Sequence, residues 1–165
     1  MTIEQLTAQE EAVLFQINDT VGTIEERSQQ LRTMGVFDAY QNIHCQYAKL
    51  ATLNLEALKR ALFLQWYGLV EPSYYSGISV INPQAEETVI QALESQVKQP
   101  VMEAELQAML SYYLNWEAIF DRYERSKLFN RLITDRLDYK AIIDQISSYS
   151  MHKRGQMGLY WQSII

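Results

Sequence analysis

Apolar residues return every three or four positions along most of this chain, the period of helices with one buried face. Leu14, Ile17, Val21, Ile24 and Leu31 form the first stripe, with Ser28 where a further apolar member would fall. Thr7 and Glu10 have the spacing of a capping box, and Gly35 stands where a left-handed cap would close the helix. This predicts one long helix over 8–34. Gly22 is its weak point, since glycine costs about 1 kcal/mol against alanine in a helix interior.

Asp38 with Gln41 resembles the next cap, followed by a stripe of Tyr40, Ile43, Tyr47 and Leu50. Asn54 caps a third helix that carries Leu55, Leu58, Leu62, Trp66 and Leu69 on one face. Pro72 ends it, because proline disfavours helical geometry in the residue before it. Residues 72–82 make the one long connection, and Asn82-Pro83 is a cap followed by a first turn. The fourth helix turns Val89, Leu93 and Val97 inward and runs to about Gln99. Pro100 separates it from a fifth that carries Met102, Leu106, Met109, Leu110 and Tyr113. Further helices are expected over 116–135, over 139–151 with Asp138 as cap, and from Gln156 onward.

Residues 36–70 and 83–117 align at an offset of 47, with Ile43, Glu56, Ala57 and Ala61 repeated as identical residues. Such a period is at the edge of helical-repeat lengths. Short breaks between helices make sequential neighbours run antiparallel. The expected fold is all-α, a bundle of six to seven helices in antiparallel pairs or a short HEAT-like hairpin array.

Composition agrees with that reading. Six glycines and three prolines in 165 residues leave little material for the turns of a β-sandwich or barrel. The length suits a single domain over 1–165, large enough to hold together without disulfide or metal staples. Fourteen Lys and Arg against twenty Asp and Glu give a net charge of −6, which opposes non-specific nucleic-acid binding. The excess acid lies in the first 118 residues, and 119–165 is mildly basic. Cys45 is the only cysteine, no signal peptide opens the chain and no apolar run approaches membrane-spanning length. These features point to a soluble, cytoplasmic protein with no membrane contact.

The chain offers little catalytic chemistry. Its two histidines, His44 and His152, lack the Glu-x-x-His partner of two-metal bundles, so no metal and no cofactor are expected. His44 reads as a core-edge histidine bonded to a neighbour, and Cys45 as a small apolar residue. No Gly-x-Ser-x-Gly elbow or phosphate loop is present. Among the carboxylates, Glu56, Glu71, Glu103 and Glu117 are open to general acid–base work wherever burial shifts them. The run Asp121-Arg122-Tyr123-Glu124-Arg125 alternates in sign, with Asp121–Arg125 and Arg131–Asp135 at ion-pair spacing, as on a solvated helix face.

One region stands out. Trp66, Tyr67, Glu71, Tyr74 and Tyr75 cluster about the 71–77 loop, and stacked helical pairs would bring Tyr112, Tyr113 and Trp116 beside them. Tyrosines join apolar area to a polar tip, so this set is either a binding surface or a plug for the core's end. The leading expectation is a non-catalytic protein–protein interaction or regulatory module, with a protein partner or a second copy as ligand. The stripe from Leu14 to Leu31 and the apolar end Tyr160, Trp161, Ile164 and Ile165 suggest a homodimer. The rival is an enzyme or small-ligand binder with a carboxylate–tyrosine pocket at the same loop.

Overall fold

The structure, a computed structural model, describes residues 1–115, 132 and 134–165. Among them every regular element is a helix: α1 Ile3–Asp19, α2 Ile24–Thr33, α3 Val36–Ala51, α4 Leu55–Val70, α5 Ser73–Ser76, α6 Pro83–Val97, α7 Ala104–Tyr113, α8 Tyr139–Ile146 and α9 Gly155–Gln162. Most of the helix expected over 116–135, with Trp116, Glu117 and the charged run from Asp121 to Arg131, lies outside the described residues.

Local signals place most boundaries. Asn54 accepts from the Ala57 amide at the start of α4, Asn82 from those of Gln84 and Ala85 at α6, and Asp138 from that of Ala141 at α8. Gly35 has the left-handed φ of 72° that the end of α2 requires.

The first helix is a correction. The expected single helix over 8–34 is two helices, broken at Thr20–Thr23, where Gly22 takes φ 111°. Thr23 and Glu26 form a capping box that restarts the chain as α2, and Gln30 Nε2 donates to Val21 O across the break. Leu14, Ile17 and Leu31 are buried, while Val21 and Ile24 are exposed on the turn. Thr7 and Glu10 are not a cap either. The capping box of α1 is Thr2 with Gln5, while Thr7 and Glu10 lie inside the helix with tertiary partners. The split of the first helix and the turn α5 within the 72–82 connection bring the described helices above the expected six to seven. Asp38 sits within the first turn of α3, after its start at Val36, and α8 stops at Ile146 short of 151.

At the centre is α4, whose contacts reach α3, α5, α6, α7 and α9. It is buried nearly all round, from Ala57 to Tyr67. Around it, α3 packs on α1, α2 and α6, while α7 packs on α8. The two aligned segments therefore differ: α3 closes directly on α4, whereas α6 lies on α3 and α4 and α7 on α4 and α8. One apolar cluster runs through the described helices, from Leu6 to Trp161. The first and last helices contact each other, with Ile17 and Trp161 buried in this chain's own core. Of the apolar positions that suggested a dimer, Leu14, Ile17, Leu31 and Trp161 are covered from within, while Val21, Ile24 and Ile165 are exposed.

Candidate functional site

The residues around the 71–77 loop separate into two groups. Trp66 and Tyr113 are stacked 4.7 Å apart and 1% exposed, and Tyr112 meets Trp161 edge-on at 4.9 Å. Phe63 and Tyr160 complete this aromatic knot, where the hydroxyls of Tyr112 and Tyr160 share a hydrogen bond of 2.7 Å. Trp66 and Tyr113 therefore fill the core where α4, α7 and α9 meet, while Tyr112, packed in the same knot, also lines a separate hollow of about 560 Å³ with Asn115, Arg136, Leu137, Asp138 and Tyr139. Trp116 lies outside the described residues.

The second group faces a hollow. Tyr67 at the end of α4, Glu71 at its C-cap and Tyr75 on α5 line a cavity of about 320 Å³, closed by α1, α2 and α9. That volume is at the small end of the range for ligand pockets, roughly 300–1,000 Å³. Tyr74 is half-buried beside it and is not part of its wall. The loop can turn tightly here because Gly77 adopts φ 73°, and a β-carbon there would collide with Ile17 and Tyr40. Burial, the nearby Glu71 carboxylate and Tyr75 hold the Tyr67 phenol protonated well above its usual range.

Two wall residues far away in sequence give the cavity its polarity. Gln156, at the start of α9, is 6% exposed. Its Nε2 donates to Ser76 O at 2.9 Å, which fixes the amide orientation and leaves Oε1 as a buried acceptor without a donor. Arg27 on α2 lines the same hollow with its Nε buried and unpartnered. Buried polar groups almost always find partners, so an unmet acceptor and an unmet donor around one cavity is an uncommon arrangement.

Behind this wall is a polar cluster of the opposite character. The Gln156 amide N–H donates to Glu10 Oε1 at 2.9 Å, and the Tyr47 hydroxyl donates to Glu10 Oε2 at 2.8 Å. Burial nevertheless raises the Glu10 carboxyl above its ordinary value. Arg60 donates to Glu56 at 2.8 Å, to Thr7 at 2.7 Å, to Tyr47 at 3.2 Å and to the Lys153 carbonyl at 3.0 Å. Arg154 bridges Glu56 and Glu105, and Lys59 also pairs with Glu105. Burial would raise the Glu56 carboxyl, but the Arg154 and Arg60 guanidiniums hold it below its usual range. The cluster ties α1, α3, α4 and α7 to the 153–156 segment, and its chemistry is that of a clasp.

Two links of this clasp are legible as spacing, the i,i+4 pair Glu56–Arg60 and the i,i+3 pair Glu56–Lys59; the other links named above join residues 13 to 146 positions apart. Glu103, another of the acid–base candidates, caps α7 through the Leu106 amide and lies 3.7 Å from Lys59. His44 is fully buried, with Nε2 3.1 Å from Gln65 Nε2 and Nδ1 unpartnered; burial lowers its pKa to about 4, so it is neutral. Cys45 is a half-buried free thiol.

Among the described residues no three of His, Cys, Asp and Glu gather as metal ligands would, and no helix is long and apolar enough to cross a membrane. In comparisons with known proteins, no family model, curated protein or solved structure matches this chain.

Proposed function

We propose that this protein binds a small polar molecule, without turnover, in the cavity between α1, α2, the α4–α5 corner and α9. The observation that carries this reading is that Gln156, a residue of the cavity wall, has a buried Oε1 without a donor. Leaving such a group unmet costs about 1–3 kcal/mol, a cost that a bound donor would remove. Glu10 and Glu56, two buried or half-buried carboxylates whose titration is shifted, are committed to protein partners and do not line the cavity. This favours retention of a ligand over its transformation.

Ligand-observed NMR with a library of polar fragments tests the proposal. Fragments are expected to bind the native chain and to be lost from Asn18→Trp, which places bulk at an exposed position on the cavity rim while leaving the core untouched. A library without hits, or hits indifferent to Asn18→Trp, overturns it.

A further inference from the structure

The same cavity carries information about ligand class, an inference that rests on the small-molecule reading above. Its wall holds one guanidinium, Arg27, and one carboxylate, Glu71. Neither has an ion-pair or side-chain hydrogen-bond partner among the described residues, although every charge in the clasp behind them is answered. A planar guanidinium accepts a carboxylate on its paired N–H groups. Glu71 and the unmet Gln156 Oε1 are acceptors only, and both call for an N–H donor. The wall also holds Tyr67 and Tyr75 from the α4–α5 corner and Tyr160 of α9, with Tyr67 and Tyr160 in edge-to-face contact at 5.5 Å. Tyrosine faces favour apolar groups, ring edges and organic cations.

We infer that the ligand is a free α-amino acid with an apolar or aromatic side chain. Arg27 takes its carboxylate, Glu71 and Gln156 Oε1 take its ammonium, and the tyrosine faces take the side chain. An ammonium supplies three donors, enough for both acceptors at once. A ligand with a single charge would leave either Arg27 or Glu71 unanswered.

Calorimetry or ligand-observed NMR on the full chain tests this with three probes of one shape. L-Phenylalanine carries both charges, 3-phenylpropionate lacks the ammonium and phenethylamine lacks the carboxylate. Phenylalanine is expected to bind about tenfold or more tighter than either truncated probe, the range for a hydrogen bond to a charged group. Arg27→Gln should weaken phenylalanine and phenylpropionate roughly tenfold and leave phenethylamine unchanged. Glu71→Gln should weaken phenylalanine and phenethylamine and leave phenylpropionate unchanged. N-acetylphenylalanine, whose amine is blocked, should bind no better than phenylpropionate. Since neither side chain has a protein partner to lose, both variants should unfold at the native temperature, and Arg27→Lys should recover part of the carboxylate affinity.

If neutral fragments bind in the cavity as tightly as phenylalanine and both Gln variants are indifferent, the amino-acid inference falls while the small-molecule reading stands. If no fragment is displaced by Asn18→Trp, both fall together.

Discussion

Gln156 has a polar group in each of two sites that treat charge in opposite ways. Its backbone N–H enters the clasp, where Glu10, Glu56, Glu105, Lys59, Arg60 and Arg154 are buried or half-buried and each has a partner. Its side chain belongs to the cavity wall, with Oε1 unmet, and there Arg27 and Glu71 stand within one wall and neither is paired among the described residues. The residue types are the same in both places. What differs is whether the fold itself supplies the partner. Charges that the fold answers hold elements together, and charges it leaves open are available to something that arrives later.

The contrast predicts very different costs for similar substitutions. Glu105 is 1% exposed and is the shared partner of Lys59 and Arg154. Glu105→Gln strands part of two buried positive charges and should destabilise the protein by about 3–5 kcal/mol in urea unfolding. A loss below about 1 kcal/mol would show that water reaches the clasp and that it differs little from the cavity.

His44 is an intermediate case, buried with one nitrogen met and one unmet. Its folded pKa of about 4 is below the ordinary 6.5, so in that window the unfolded chain binds a proton that the folded chain refuses. Stability from this residue is complete above about pH 6.5 and is lost as pH falls toward 4, by on the order of 3 kcal/mol. His44→Gln should flatten the stability–pH profile across that window; an unchanged slope would show the imidazole already reaches solvent.

Glu10 has the opposite sign. Its folded carboxyl titrates above the ordinary carboxylate value, so its contribution is largest in acid and is lost as pH rises through the raised value. Glu10→Gln should therefore gain on the native protein as pH is raised from 4 to 8, measured by urea midpoints at both ends. A gap independent of pH would place the carboxylate in a wetter site than its two hydrogen bonds suggest.

The smallest effects belong to the cavity. Arg27→Gln and Glu71→Gln should each change stability by less than about 0.5 kcal/mol, since neither removes an ion pair or side-chain hydrogen bond among the described residues. A loss comparable to that of Glu105→Gln would mean that the fold uses these charges after all, and the distinction between the two sites would collapse.

Helix type and most boundaries were legible from residues a turn apart. Asn54, Asn82-Pro83, Asp138 and Gly35 act on amides or φ angles of their immediate neighbours, and nothing distant overrules them. Thr7 and Glu10 misled for the converse reason: the motif is local, but their hydrogen bonds go to Arg60, Tyr47 and Gln156. Thr23–Glu26 was an equally good local cap, hidden by an apolar stripe that continues across the break.

Clustering in sequence also drew attention to Tyr67, Glu71 and Tyr75, which line the cavity, and to Trp66, Tyr112 and Tyr113, which plug the core. The chain alone does not separate these groups, because a tyrosine facing a hollow and one facing a neighbour's ring have the same local spacing. Arg27 and Gln156 were beyond its reach, since 129 positions separate them and no periodicity links a guanidinium on α2 to an amide on α9. Patterning by itself determined that the chain is helical and where many helices start, because those depend on hydrogen bonds between near neighbours. Which polar groups are answered and which are left open was decided only by packing, because a partner across the fold is set by how helices meet.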